Sequence, residues 1–212
     1  MKKVFAILAL VAAMFVAGNA QAQTTVNIGY SPETFKTSYS SNPNNYQGLH
    51  FGFVSNVKLV QELGIGAGAQ VRMNMKQTKE LGGTTTIKDF QLLIDVPVLI
   101  NYNININNNF AITPFVGPMV SFAAVGKTNT KVMAGNTQLS NTDLSWYGED
   151  GSYYLNGPLK RFNLYAVFGG NVRFGGFNIY GGYRMGLLNI LKDTDSVTMK
   201  TNGFFVGLGF TL

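Results

Sequence analysis

Apolar and polar residues alternate with a period of two over eight separate stretches of the chain, and nowhere downstream of residue 22 does a helical period replace it. The clearest stretch is 63–76. There Leu63, Ile65, Ala67, Ala69, Val71, Met73 and Met75 share one face, and Gly64, Gly66, Gly68, Gln70, Arg72, Asn74 and Lys76 share the other. An amphipathic helix cannot sort residues this way, because its apolar positions recur at three and four, not two. The same sorting runs through 24–30, 47–59, 90–104, 110–124, 162–172, 177–187 and 203–212. Most of these segments approach the 9 to 11 residues, roughly, that a tilted strand uses to cross a bilayer. Pro114 and Pro118 weaken the segment at 110–124, since each removes a ladder donor and suggests a bulge or strand end.

The connections alternate in length. Short ones fall near 60–62, 105–109 and 174–176; long ones run over 31–46, 77–87, 126–160 and 188–200. An even number of strands brings both ends of the chain to one side, the side of the short turns. The pattern predicts an all-β fold: an eight-stranded antiparallel up-and-down transmembrane β-barrel, with four long external loops and short periplasmic turns.

A soluble barrel that buries its apolar face inward has the same period. The polar face separates the two readings. It gathers Arg72, Lys76, Asp95, Arg173 and Arg184 with many glycines, a poor exterior but a workable packed lumen. Composition agrees with a lipid exterior: only 12% of residues are charged, and neutral polar residues carry most of the polarity.

Residues 1–22 read as an export signal. Lys2 and Lys3 precede an apolar run from Val4 to Ala17, and Ala20, Gln21 and Ala22 form a small-x-small cleavage pattern. The mature barrel domain is then 23–212, exported by a Sec-type route, and the destination is the outer membrane of a Gram-negative bacterium. Removing 22 of 212 residues leaves 190, enough for one domain, and the formal charge of +6 falls to +4 without Lys2 and Lys3. That excess is too small and scattered to indicate nucleic acid. The chain has no cysteine, so neither disulfides nor thiolate metal sites enter the picture.

Several segments carry a family likeness: Ile94-Asp95-Val96-Pro97-Val98-Leu99-Ile100-Asn101-Tyr102, Pro114-Phe115-Val116-Gly117-Pro118 and Phe168-Gly169-Gly170-Asn171-Val172. Together they resemble the PorT-like outer-membrane β-barrel family across the mature chain. The resemblance implies an OmpA-like eight-stranded barrel, in some members linked to protein secretion. The chain ends in Leu212 where many such barrels end in Phe, with Phe210 keeping the terminal alternation.

Candidate chemistry is sparse. His50, the single histidine, has the parity of the polar face, and no Gly-x-Ser-x-Gly motif accompanies it. Asp143, Glu149 and Asp150 lack the spacing of a calcium loop. No cofactor and no metal is expected. A narrow lumen forces charges to pair, so the expected polar network is Arg72, Asp95, Arg184, Gln70 and Arg173, with Asp95 meeting Arg72 or Arg184. The long loop at 126–160 holds Trp146, Tyr147, Tyr153 and Tyr154, which either contact a partner or pack back on the strand ends. The functional expectation is a non-enzymatic membrane protein whose partners are lipid and, through the loops, envelope or secretion proteins. A place in a secretion or transport assembly, a narrow channel, or a lipid-modifying enzyme acting through His50 are the alternatives.

Overall fold

The computed structural model describes residues 23–40, 42–80, 84–107, 109–135, 137–147, 158–192 and 196–212. The export signal expected at 1–22 lies outside these residues. Eleven strands follow in chain order: β1 Gln23–Tyr30, β2 Glu33–Thr37, β3 Asn44–Val60, β4 Leu63–Glu80, β5 Thr85–Tyr102, β6 Ile104–Asn107, β7 Phe110–Ala134, β8 Thr137–Ser145, β9 Phe162–Phe174, β10 Phe177–Gly186 and β11 Met199–Thr211.

All pairings between them are antiparallel, and the sheet closes on itself because β1 pairs with both β3 and β11. Three of the eleven add no new stave. β2 continues β1 beyond Ser31 and Pro32 and pairs with the same two neighbours. β6 continues β5 past Asn103 along β7. β8 is a hairpin partner of the projecting end of β7. What remains is an eight-stranded up-and-down barrel with Gln23 and Leu212 both at the end of the short turns.

The alternation translates directly into two environments. Along β5, Leu93, Asp95, Pro97 and Asn101 are buried inside, while Val98, Ile100 and Tyr102 face outward and are exposed. On β11 the outward row is Phe204, Val206, Leu208 and Phe210. From Phe90 to Tyr102 the outward face of β5 rises roughly 28 Å, taking about 3.3 Å per residue and a 45° tilt, close to the apolar band of about 25 Å on membrane barrels. No helix of the described residues is long and apolar enough to cross a membrane.

The prolines act differently from expectation. β7 runs through Pro114 and Pro118 without a bulge. Instead its ladder to β5 lapses between Pro97↔Met119 and Ile100↔Val116, beside Pro118, and the β5/β6 break at Asn103 lies by Pro114. The register shift of β7 falls elsewhere, at Leu92/Leu93, where Ala124 is passed over. Missing donors thus thin the ladder locally while neighbouring strands hold the register.

Several expected loops are shorter than their sequence ranges. β4 and β5 extend to Glu80 and from Thr85, so the connection assigned to 77–87 contracts to 81–84. The 126–160 segment is largely hairpin, with β7 reaching Ala134 and β8 returning to Ser145. At the other end Gly175, φ 58°, makes the tight turn between β9 and β10.

Candidate functional site

Halfway along the lumen the inward residues of neighbouring strands reach one another, and the polar ones gather around Arg72. Register places Arg72 of β4 two residues past Gln70, which stands opposite Asp95 of β5, so the long guanidinium reaches that carboxylate across the pleat. Arg72 Nε donates to Asp95 Oδ2 at 2.7 Å and Nη2 to Asp95 Oδ1 at 3.2 Å, a bidentate pair. Its Nη1 donates to Glu33 Oε2 from β2. Ser121 Oγ of β7 donates to Asp95 Oδ1 at 2.5 Å. The guanidinium carbon lies 5.5 Å from the centre of the Tyr165 ring.

Glu33 is the second hub. Besides Arg72 it accepts from Asn74 Nδ2 at 2.5 Å and from Tyr165 OH at 2.6 Å. Thr201 Oγ1 lies 2.8 Å from the same phenol and accepts from Asn163 Nδ2 at 2.9 Å. Asn74 Nδ2 also donates to Gln91 Oε1 at 2.9 Å, and Gln91 Nε2 donates to Tyr147 OH at 2.5 Å. Side chains of β2, β4, β5, β7, β9 and β11 are therefore joined across the barrel axis. Arg72 and Asp95 are 0% exposed and Glu33 1%, so no water competes for these bonds.

Above this layer, toward the loops, an apolar cap of Phe35, Tyr46, Leu93, Ala123, Leu159 and Ile190 closes the lumen. Trp146 and Tyr147 belong to it. Trp146 Nε1 donates to Thr128 Oγ1 at 2.8 Å, and its ring stands edge-on to Phe35 and Tyr46 at 6.2 and 5.8 Å. Gly126 makes this possible, since a Cβ there would lie 3.1 Å from Trp146 Cε3 and run into the Tyr147 ring. Burial pushes the Tyr147 phenol up to about 12.

Below the layer, Arg184 of β10 makes no ion pair among the described residues. Its Nη2 donates to the Ser31 carbonyl at 3.3 Å, and its carbon lies 5.7 Å from the Phe205 ring centre. His50 Nε2 stands 2.5 Å from Tyr180 OH. Next comes a cavity of about 110 Å³ bordered by Leu99, Phe115, Met119, Asn27 and Gln70, then an open recess of about 590 Å³ at the turn end holding Lys58, Glu62 and Arg173. Asn56 and Asn101 border both.

Of the residues expected to form one network, Arg72 and Asp95 meet directly. Arg184 lies nearby without touching Asp95. Gln70 turns instead to Asn27, with 3.5 Å from Nε2 to Oδ1. Arg173 is at the turn-end mouth, where it reaches Gln23 Oε1 at 3.3 Å and Asn105 Oδ1 at 3.5 Å, too far along β9 to join the centre. Trp146 and Tyr147 pack back on the strand ends, Trp146 half-buried and Tyr147 buried. Tyr153 and Tyr154 lie outside the described residues. Phe115 and Met119, grouped with the polar face by parity, line the cavity, so the lumen is partly apolar.

Glu33 is hidden in the sequence because Pro32 interrupts the alternation and 31–46 reads as loop. A signal was present: the inward parity of Asn27, Gly29 and Ser31 continues to Glu33, and two central arginines facing a single Asp95 call for a second carboxylate. Chemically the arrangement holds strands together. His50 and Ser121 bond to different partners, Tyr180 and Asp95, and none of the described His, Asp or Glu side chains cluster in a way that could hold a metal ion.

No family model matches the chain, and no curated protein matches it. Among solved structures it is similar to Ail, the attachment invasion locus protein of Yersinia pestis, at 13% identity and TM-score 0.47, covering 91% of this chain and 99% of that one. The same protein with the heparin analogue sucrose octasulfate gives 12% identity, TM-score 0.49 and the same coverage. Neisserial surface protein A gives 10% identity, TM-score 0.44 and coverage of 89% and 97%.

Proposed function

We propose that this chain is an integral protein of a Gram-negative outer membrane that works without catalysis, anchoring its loop-end structures at the cell surface for structural or interaction roles. One observation carries the reading: a continuous apolar exterior surrounds a lumen crossed by the buried Glu33–Arg72–Asp95 layer. A closed barrel is the way a strand-built chain satisfies its backbone in hydrocarbon. Export through the signal at 1–22 fits that destination, and cleavage near Ala22 would leave β1 as the first segment of the mature chain.

The Arg72 layer and the apolar cap stand across the path a solute would take, which favours a closed barrel over a narrow channel. His50 is buried in the lumen against Tyr180, away from the lipid face where an acyl substrate would lie, which favours no lipid chemistry. The β7–β8 hairpin projects beyond the barrel, and β8 is exposed along its length, a suitable element for contacts with envelope or secretion proteins. The strand patterns at 94–102, 114–118 and 168–172 support a place among PorT-like barrels.

Two measurements on membrane-extracted protein test the reading. Gel migration should shift on boiling, and planar bilayers containing the folded protein should show no stable open conductance. Absence of the shift refutes the membrane barrel; a stable conductance refutes the closed lumen.

A further inference from the structure

The two rims of the barrel exterior differ in charge. At the turn end the outward strand side chains are uncharged: Phe174, Phe177 and Phe210 are exposed there, with Phe177 and Phe210 rings 5.3 Å apart. The charged residues at that end, Lys58, Glu62 and Arg173, line the recess instead of the outer wall. The loop end is the reverse. Directly beyond the apolar band, strand parity turns Lys36 of β2, Lys79 of β4, Lys88 of β5, Lys127 and Lys131 of β7 and Lys200 of β11 outward.

Register crowds these cations together. Lys36 and Lys200 stand directly opposite on β2 and β11. Thr86 is flanked by Lys79 on one side and Lys131 on the other, with Lys88 two residues along the same strand and Lys127 opposite Phe90. Like charges directly opposite on a sheet are destabilising. None of the six makes an ion pair among the described residues; Asp143, the carboxylate facing the same way on β8, is bonded by Asn129 Nδ2 at 2.8 Å. Among the described residues no carboxylate forms an ion pair with these six, which leaves the cluster open to anions from outside the chain.

We propose that these lysines bind phosphate groups on glycolipid headgroups of the loop-side leaflet. Their position selects lipid over a soluble polyanion: Lys88 and Lys127 point sideways from the wall beside Phe90 and Val125, where the acyl chains of a bound lipid end and its headgroup begins, and Lys79 and Lys131 lie two residues farther out on either side of Thr86. The absence of outward charge at the turn rim, among the described strand residues, makes the preference one-sided. The inference rests on the membrane reading above.

The test reconstitutes the mature protein in phosphatidylcholine vesicles containing bis-phosphorylated lipid A or its dephosphorylated form, and measures the relative association of the two lipids with the barrel. The wild type should select the phosphorylated lipid, and the selection should weaken with salt. Lys79→Gln, Lys88→Gln and Lys131→Gln together should lower it at least about fivefold, the effect expected of even one lysine at an anionic surface. Lys58→Gln with Arg173→Gln should leave it unchanged. If the triple variant loses its gel shift, Lys36→Gln with Lys200→Gln gives the same reading at the second cluster. Equal association of both lipids with the wild type, or an unaltered ratio in a folded lysine variant, overturns the proposal. Lysine-dependent heparin binding with no lysine-dependent preference between the two lipids overturns it in favour of a sulfated polysaccharide. Insertion into pure phosphatidylcholine vesicles, scored separately, keeps the two readings apart: a wild type that does not insert refutes the membrane barrel itself.

Discussion

The loop half and the turn half of the lumen are built by the same strands with the same alternation, yet they are filled in opposite ways. The loop half is closed by a few long side chains that bond one another, Arg72 to Asp95 and Glu33, Glu33 to Asn74 and Tyr165, Gln91 to Tyr147, with an apolar cap above. The turn half carries shorter carboxamides, Asn27, Asn56, Asn101, Asn171 and Asn178, around a cavity and an open recess. The number of charged partners explains the difference. The Arg72 guanidinium of β4 donates to carboxylates of two other strands, Asp95 of β5 and Glu33 of β2, whereas Asn101 Nδ2 of β5 reaches past β4 to one neutral acceptor, Asn56 Oδ1 of β3, at 2.9 Å. Closing a narrow barrel therefore depends less on how many polar groups face inward than on where the long charged ones stand.

The largest break in this contrast should come from Arg72→Met, which leaves Glu33 and Asp95 buried without their shared cation. Loss of one partner from a buried ion pair costs about 3–5 kcal/mol, so denaturant unfolding of the reconstituted barrel should show a destabilisation of at least that size. Glu33→Gln keeps a polar group for Asn74 and Tyr165 while removing the charge that Arg72 meets. Its cost should be smaller, about 1–3 kcal/mol by the same assay. Tyr147→Phe removes the hydroxyl that accepts from Gln91 and leaves the cap packed; about 1 kcal/mol is expected. In the turn half, Asn56→Leu with Asn101→Leu exchanges both members of a hydrogen-bonded pair for apolar groups of similar size, and stability should change by less than about 1 kcal/mol. If this double variant proves as damaging as Arg72→Met, the two halves are not distinct.

Legibility from sequence followed periodicity. β4 and β11 bury alternate residues on one face and expose apolar ones on the other, so segments 63–76 and 203–212 already marked their positions and faces. β8 was not legible, because Thr137–Ser145 is solvated on both faces and nothing forces its residues to alternate. Arg72 and Asp95 were readable as inward charges from parity alone. Glu33 was hidden by the break at Pro32, and the inward packing of Trp146 depends on Gly126, a contact far apart in pattern though only 20 positions away in the chain. Arg173 shows the limit of parity: facing inward says nothing about depth along the axis.

The central claim, an apolar wall outside and a filled lumen within, is most directly tested by spin labels placed one at a time along β5, since the chain has no cysteine of its own. Labels at Leu92, Ile94, Val96, Val98 and Ile100 of the bilayer-reconstituted protein should collide readily with oxygen, which concentrates in lipid. Labels at Leu93, Leu99 and Asn101 should be shielded from it. Reversed phase, with the odd positions in lipid and the even ones enclosed, would contradict the account, as would an even profile along the strand.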